Sequence, residues 1–426
     1  MTDKRNAILL EKLNNINWDF DDYNSSKYPL DINSIPWYPA TFPAPIPKYL
    51  IALLSQPGEK VMDPFGGKGT TALEAIKQGR KFVYNDINPH AVNIMNWLLE
   101  TVGASEDLVQ EMLIEERRTL QNGKDEKDTG SYQGKDEDIA YTRAGKETLE
   151  YIKETGIRED AVYWFHSETL KELIRIHKRI DEKEHIRESD RSKNVGIRKL
   201  AFVSILKEVC SQRGHFSYVT DNCRPSEMKY YDAEAAYLEM LERIKLACTD
   251  YKRQFRILNK NEQIGQLIGD SIVRSGDAKR FVELTNESID LIITSPPYLC
   301  AQDYILTMRL NDFFYPDQGF IELPFKEIGP RRLRTRSGIV DSYFNDMNLT
   351  VREMHRLLKK GAYFCIIIGQ GKGKVSEGID VIQKVIENVV KIGFSQIYRT
   401  TRSISYRTNR IGGVDKEDLI IFQKAF

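Results

Sequence analysis

Cysteine is scarce and poorly placed for cross-linking. Five occur in 426 residues, Cys210, Cys223, Cys248, Cys300 and Cys365, an odd number widely scattered along the chain. They give neither a disulfide framework nor metal-ligand spacing and read as buried or incidental thiols. Of the six histidines, His166 and His177 fall on helical spacing and read as surface or packing residues, so no metal site is expected. An excess of charge is also missing. Sixty-two Lys and Arg balance sixty-two Asp and Glu, so a polyanionic partner has to be met by local clusters of cations. No apolar run reaches membrane-spanning length, and the N-terminus, MTDKRNAILLEKL, lacks the layout of a secretory signal. A cytoplasmic protein with no membrane partner is the expectation. Internal repeats and coiled-coil heptads are absent as well. What is present is a 41% hydrophobic chain with enough apolar material for two or three folding units.

Two segments carry the chemistry. Residues 290–298 read DLIITSPPY, an apolar strand that ends in a rigid polar corner, where open α/β sheets place their sites. Pro296 and Pro297 fix two φ angles and lack N–H groups, so the turn presents carbonyl acceptors without competing donors. Ser295 adds a hydroxyl and Tyr298 an aromatic face, a set suited to gripping an exocyclic amino group on a planar base. Residues 61–75 read VMDPFGGKGTTALEA, a strand, a glycine turn and a helix, the geometry that brings backbone N–H groups against a ligand. A phosphate-binding P-loop requires Gly-Lys followed directly by Ser or Thr, whereas Lys68 is followed by Gly69, so that reading fails. Asp63 at the strand end repels a polyphosphate but can accept from an ammonium group, as in an amino-acid-like cofactor such as S-adenosylmethionine. The next strand, residues 81–88 (KFVYNDIN), carries Asp86 about twenty residues on, where an acid can hold ribose hydroxyls.

The combination of DPFGGKGTT with TSPPY resembles the amino-group DNA methyltransferases, whose methyl-donor loop reads DPF-x-G-x-GTT and whose catalytic corner reads (S/N/D)PP(Y/F/W). The Ser form is most typical of the cytosine-N4 enzymes. Residues 37–50 (WYPATFPAPIPKYL) resemble the family's proline-rich element that helps enclose the methionine end of the cofactor, and Gly276-Asp277-Ala278 its third element, whose aspartate contacts the adenine amino group. The resemblance covers residues 30 to 100 and 265 to 426. It implies S-adenosyl-L-methionine as cofactor, held by Phe42, Asp63, Pro64, Phe65, Gly67, Gly69, Thr70, Asp86 and Asp277. It implies catalysis at Ser295, Pro296, Pro297 and Tyr298 on a base flipped from double-stranded DNA. A restriction-modification setting follows from the same resemblance, with a cognate endonuclease acting separately, and a monomer associated with the nucleoid is expected. Methylation at cytosine carbon 5 needs a thiolate, presented after a proline in the corresponding families, and no cysteine here follows proline. Adenine-N6 methylation, guanine-N2 methylation of RNA and an inactive DNA-binding homologue are the alternatives.

Alternating strands and helices imply an α/β, doubly wound, seven-stranded methyltransferase sheet with a terminal antiparallel hairpin and a largely helical inserted domain. The expected organisation is an N-terminal segment with the cofactor half over residues 1–102, a mainly helical target-recognition insert over 103–262, and the catalytic half over 263–426. Helical spacing is read over residues 91–114, and Lys359-Lys360-Gly361 reads as a turn between a helix and a strand. Cationic clusters give the DNA contacts: Arg331, Arg332, Arg334 and Arg336 in GPRRLRTRS, and a second group of Arg399, Arg402, Arg407 and Arg410 interleaved with Tyr398 and Tyr406. In the insert, a donor-rich loop around Arg213, His215, Tyr218 and Asn222 reads as a base- or phosphate-contacting segment.

Overall fold

The computed structural model describes residues 2–20, 23, 30–39, 41–120, 129–133, 137–184, 195–212, 224–259, 263–371, 374–404 and 414–425. Strands β1 (Lys60–Asp63), β2 (Lys81–Asp86), β5 (Ile272–Ser275), β6 (Ile289–Thr294), β7 (Leu358–Gly369), β8 (Phe394–Ser403) and β9 (Lys416–Lys424) form one sheet, and β3 (Tyr132–Gln133) pairs with β4 (Glu227–Met228) in a separate ladder. The large sheet has the order β5-β2-β1-β6-β7-β9-β8. Strands β5, β2, β1, β6 and β7 are parallel, while β9 runs antiparallel to both of its neighbours. One reversed strand slotted before the edge is the terminal hairpin read from the sequence. The chain winds from β1 towards β2 and β5 and then returns to the other side at β6, so the strand order switches between β1 and β6. Crevices at such a switch open at the carboxyl ends of the strands.

The strand sequences explain why the sheet is covered on both faces. Along β7, Cys365 and Ile367 enter one apolar cluster while Phe364, Ile366 and Ile368 enter another; β9 divides Leu419 and Ile421 from Ile420 and Phe422 in the same way. Period-two alternation with apolar residues on both sides is the mark of a sheet buried between two layers. One layer is built by α1 (Thr2–Asn14), α2 (Pro45–Leu54), α3 (Thr70–Lys77) and α4 (Pro89–Gly103); the other by helices Ile339–Leu357 and Val381–Ile392.

Helices Ser167–Glu184, Val195–Val209 and Ala233–Leu258 of the middle region join the first layer. Phe202, Tyr237, Leu241 and Tyr251 share a single cluster with Val61 of β1, and the Tyr251 hydroxyl donates to the Leu73 carbonyl at 2.7 Å. His166 and His177 are buried in this packing. His177 is held between the Tyr151 hydroxyl and the Phe314 carbonyl, and burial pushes its pKa down to about 4.

Two local readings change. The helical run expected over 91–114 breaks at Ala104, and Ser105 restarts it by accepting from the Leu108 N–H at 3.2 Å. Lys359-Lys360-Gly361 is no separate turn: β7 starts at Leu358 directly from the preceding helix. Gly361 takes φ of 72° and its carbonyl accepts from the Gln423 side chain of β9 at 2.7 Å. Among the described residues no helix is long and apolar enough to cross a membrane.

Candidate active site

The glycine loop between β1 and α3 is closed by neighbours from β2. Tyr84 occupies the space above Gly66, where a Cβ atom would fall 2.3 Å from its ring, and its hydroxyl bonds the Gly67 carbonyl at 2.5 Å. Gly69, at φ of 92°, lies against Met95, whose sulfur a Cβ would approach to 2.1 Å. Both glycines are therefore required by close approach, and the second also by its left-handed backbone. Asp86 at the end of β2 accepts from the Gly67 N–H at 2.8 Å through one oxygen and from the Asn88 N–H at 2.8 Å through the other. Asn85 beside it donates to the carbonyls of Pro64 and Gly276, at 2.9 and 3.0 Å, tying the loop to the residues after β5.

One cleft of about 970 Å³, partly open to solvent, gathers these elements at the carboxyl ends of β1, β2, β5 and β6. Of the residues expected to hold the cofactor, Phe42, Pro64, Phe65, Gly67, Thr70, Asp86 and Asp277 line it, and so do Ser295, Pro297 and Tyr298 of the corner. Asp63, Gly69 and Pro296 do not line it; all three are buried behind the wall. The Asp63 carboxylate is occupied from within, accepting from the Thr71 hydroxyl at 2.8 Å, the Thr294 hydroxyl at 2.6 Å and the Phe65 N–H at 3.1 Å. It is a strut that fixes the glycine loop to the end of β6, one residue before the corner. Burial pushes both Asp63 and Asp86 up to about 6, against the hydrogen bonds that favour their charged forms.

Several lining residues were not singled out as site residues in the sequence. Tyr38, Lys68, Asn85, Asn88, Tyr304, Lys326 and Glu327 all border the cleft. Lys68 donates to the Asn33 carbonyl and has no carboxylate within ion-pair reach among the described residues; burial lowers it to about 8. This cation is visible in the glycine motif, where its place before Gly69 excludes a P-loop. Glu327 accepts from the Ile305 N–H at 2.7 Å and pairs with Arg332, and burial raises it to about 7. Nothing in its local sequence marks it, since it reaches the cleft from a run of short 3-10 turns, 318–333.

The corner is a rigid shelf. Tyr298 is 9% exposed, and the Tyr343 hydroxyl donates to the Pro297 carbonyl at 3.1 Å. Ser295 donates to the Tyr298 hydroxyl at 3.2 Å, and that hydroxyl donates to Glu417 at 2.8 Å. Gly369, at the end of β7, leaves room for the ring, because a Cβ there would lie 2.9 Å from Tyr298 Cε2. Cys300 sits nearby at φ of 54° with its thiol pushed up by burial, away from the thiolate form that a nucleophile needs.

The cationic clusters divide. Arg332 turns inward to Asp303 and Glu327, while Arg334 and Arg336 are exposed. Arg331 is partly exposed at the start of a short 3-10 turn. Arg399 and Arg402 pair with Asp418 and Glu417 across the hairpin. Arg407, Arg410 and Tyr406 lie outside the described residues, as do Arg213, His215, Tyr218 and Asn222.

Comparison with known proteins agrees with the loop geometry. The family model described as DNA methylase, of the N6/N4 methyltransferases, matches residues 4–96, which include the glycine loop and Asp86. The type II methyltransferase M.PvuII of Proteus hauseri is 40% identical over 55 residues, 13% of this chain and 16% of that protein. The type II methyltransferase M.MjaII of Methanocaldococcus jannaschii is 21% identical over 421 residues, 85% of this chain and 77% of that one. The chain thus matches well under two thirds of the length of M.PvuII. A Thermus thermophilus protein solved in complex with S-adenosyl-L-methionine aligns with a TM-score of 0.23 at 18% identity, over 35% of this chain and 54% of that one; the fold reading rests on the sheet itself. The glycine loop and these matches support an N6/N4 amino-methyltransferase domain in this chain.

Proposed function

We propose that this protein transfers a methyl group from S-adenosyl-L-methionine to an exocyclic amino group of a base flipped out of duplex DNA, with N4 of cytosine as the acceptor. The observation that carries the reading is the sharing of one cleft, at the β1/β6 switch, by the glycine loop and the Ser-Pro-Pro-Tyr corner.

The lining fits the donor molecule by its chemistry. Phe42 and Phe65 offer apolar faces, Asp86 and Asp277 offer carboxylates for hydroxyl and amino groups, and Lys68 offers an ammonium to a carboxylate. When bound, the donor supplies an electrophilic methyl on a sulfonium. The residues do the rest. Tyr298 stacks on the extruded base and offsets part of the few kcal/mol lost in unstacking it. The Ser295 hydroxyl accepts from an amino hydrogen, drawing the nitrogen lone pair out of conjugation with the ring and holding it in line with the methyl. No covalent intermediate is required. Asp63, Gly69 and Pro296 act from behind the wall by fixing its shape. Arg331, Arg334 and Arg336 are assigned to the DNA backbone, with Arg213 contributing from the insert. The setting is a restriction-modification system, the protein acting as a cytoplasmic monomer apart from its endonuclease.

Incubation of the protein with labelled S-adenosyl-L-methionine and unmodified genomic DNA, followed by nucleoside analysis, tests this directly. Labelled N4-methylcytosine is expected. N6-methyladenine would overturn the base assignment, and no label in DNA despite donor binding would overturn the substrate.

A further inference from the structure

The corner is connected to the far edge of the sheet by a chain of hydrogen bonds with a fixed direction. Ser295 donates to the Tyr298 hydroxyl at 3.2 Å, Tyr298 donates to Glu417 Oε2 at 2.8 Å, and Glu417 Oε1 pairs with Arg402. Glu417 and Arg402 stand opposite each other in the β9–β8 ladder, and both are buried, at 6% and 5% exposure. Arg402 in turn is held by the N-terminal segment: its Nε donates to the Trp18 carbonyl at 2.9 Å and its Nη2 to the Asp19 carbonyl at 3.1 Å. The Asp19 side chain closes this clamp by accepting from the Ser403 N–H at 2.6 Å.

The direction follows from the terminal group. A carboxylate paired with a guanidinium can only accept, so the tyrosine proton is committed to Glu417. The tyrosine oxygen is then left as an acceptor for the serine proton. Ser295, whose own proton is used in this way, presents only lone pairs to the cleft that it lines. Reversing the relay would leave a buried carboxylate oxygen without a donor, a large penalty in a low-dielectric site. Tyr298 cannot swing away to release it, because its ring sits against Gly369 with no room for even a methyl group between them.

We propose that Glu417 is a positioning residue that sets the proton polarity of the Ser295–Tyr298 pair, making the corner an acceptor-only site that takes an exocyclic amine and rejects a carbonyl oxygen at the same position. This rests on the amino-methyl transfer proposed above, and it adds a selection rule that the corner motif alone does not contain. A phenylalanine in place of Tyr298 would keep the stacking face and lose the relay.

The test uses pairs of nucleosides that differ chiefly at that atom. Binding of deoxycytidine against deoxyuridine, and of deoxyadenosine against deoxyinosine, is measured by NMR saturation transfer on the full chain with S-adenosylhomocysteine added. The wild-type protein is expected to prefer the amino member of at least one pair by about tenfold, the scale of one mismatched buried hydrogen bond. Glu417→Gln and Tyr298→Phe should each bring that ratio close to one, with the double variant no different from either single one. Retained melting temperature and retained S-adenosylhomocysteine affinity in the variants separate this from a folding defect, and Glu417→Asp, still an acceptor, should restore part of the ratio. An unchanged ratio in both single variants would overturn the polarity, as would losses that multiply in the double variant. Methyl transfer to genomic DNA is assayed in parallel. Failure of transfer with the nucleoside preference intact would reject the proposed function and leave the relay standing, whereas normal transfer with no change in preference would do the opposite.

Discussion

The two walls of the cleft are built in opposite ways. The glycine-loop wall is assembled from residues close in sequence: the Gly66-to-Gly69 turn is held by Tyr84 and Asp86 of the next strand, nineteen positions or fewer away in each hydrogen bond. The corner wall is assembled from remote ones. Tyr298 is anchored by Glu417, 119 positions on, and Glu417 by an arginine clamped through Trp18, 384 positions back. A wall closed locally can be read as a motif, while a wall closed at long range shows only its exposed tip. Asp63 serves both, reaching Thr71 on its own side and Thr294 on the other.

The largest effect should therefore come from breaking that link. Asp63→Ala leaves the Thr71 and Thr294 hydroxyls and the Phe65 N–H buried without their acceptor, and a loss of about 3 kcal/mol in stability is expected. Denaturant unfolding measures it. Should the variant remain as stable as the parent and lose only donor binding, Asp63 would belong to the ligand surface and the two walls would be independent.

The next effect sharpens the contrast by addressing the loop wall alone. Asp86 is raised to about 6 and Lys68 lowered to about 8, both by burial. For Asp86, a folded pKa above the unfolded value means that its contribution to stability is fully present below about 4 and is lost as pH rises through 6. Donor affinity should move the other way, rising through pH 6 as the carboxylate forms and falling above pH 8 as the ammonium is lost. Calorimetric titration of S-adenosyl-L-methionine across pH 5 to 9 should show that maximum. Asp86→Asn should remove the lower step and weaken binding by about tenfold. A flat profile would detach both groups from the donor.

The same contrast explains what could be read in advance. The sheet, its reversed last strand and the cleft-lining set of Phe42, Phe65, Asp86, Asp277 and Ser295 were legible because each lies on a strand end or in a short motif whose residue types leave little choice. Lys359 to Gly361 misled because Lys-Lys-Gly has turn composition, yet β7 runs through it from Leu358, with the Gln423 side chain on the Gly361 carbonyl. Arg399 and Arg402 looked like a cationic patch because sequence shows the charge of one strand and hides the acids of its partner. Glu327 was invisible for a related reason: a run of short 3-10 turns carries no period from which an inward direction can be derived.

The smallest effect concerns the arginines that remain exposed. Arg332 is fixed between Asp303 and Glu327, so its substitution should act through the loop's structure, whereas Arg334 and Arg336 face solvent and are available to phosphates. Replacing both with alanine should weaken DNA binding several-fold near physiological salt and reduce the slope of log affinity against log salt by about two, one for each lost phosphate contact. Donor affinity and melting temperature should stay at parental values, because neither residue touches the cleft. Binding isotherms on one duplex over a range of salt concentrations provide the slope. Arg332→Ala in the same series should lower stability instead, since it strands two buried acids, and an unchanged slope in the double variant would move the DNA surface away from this loop.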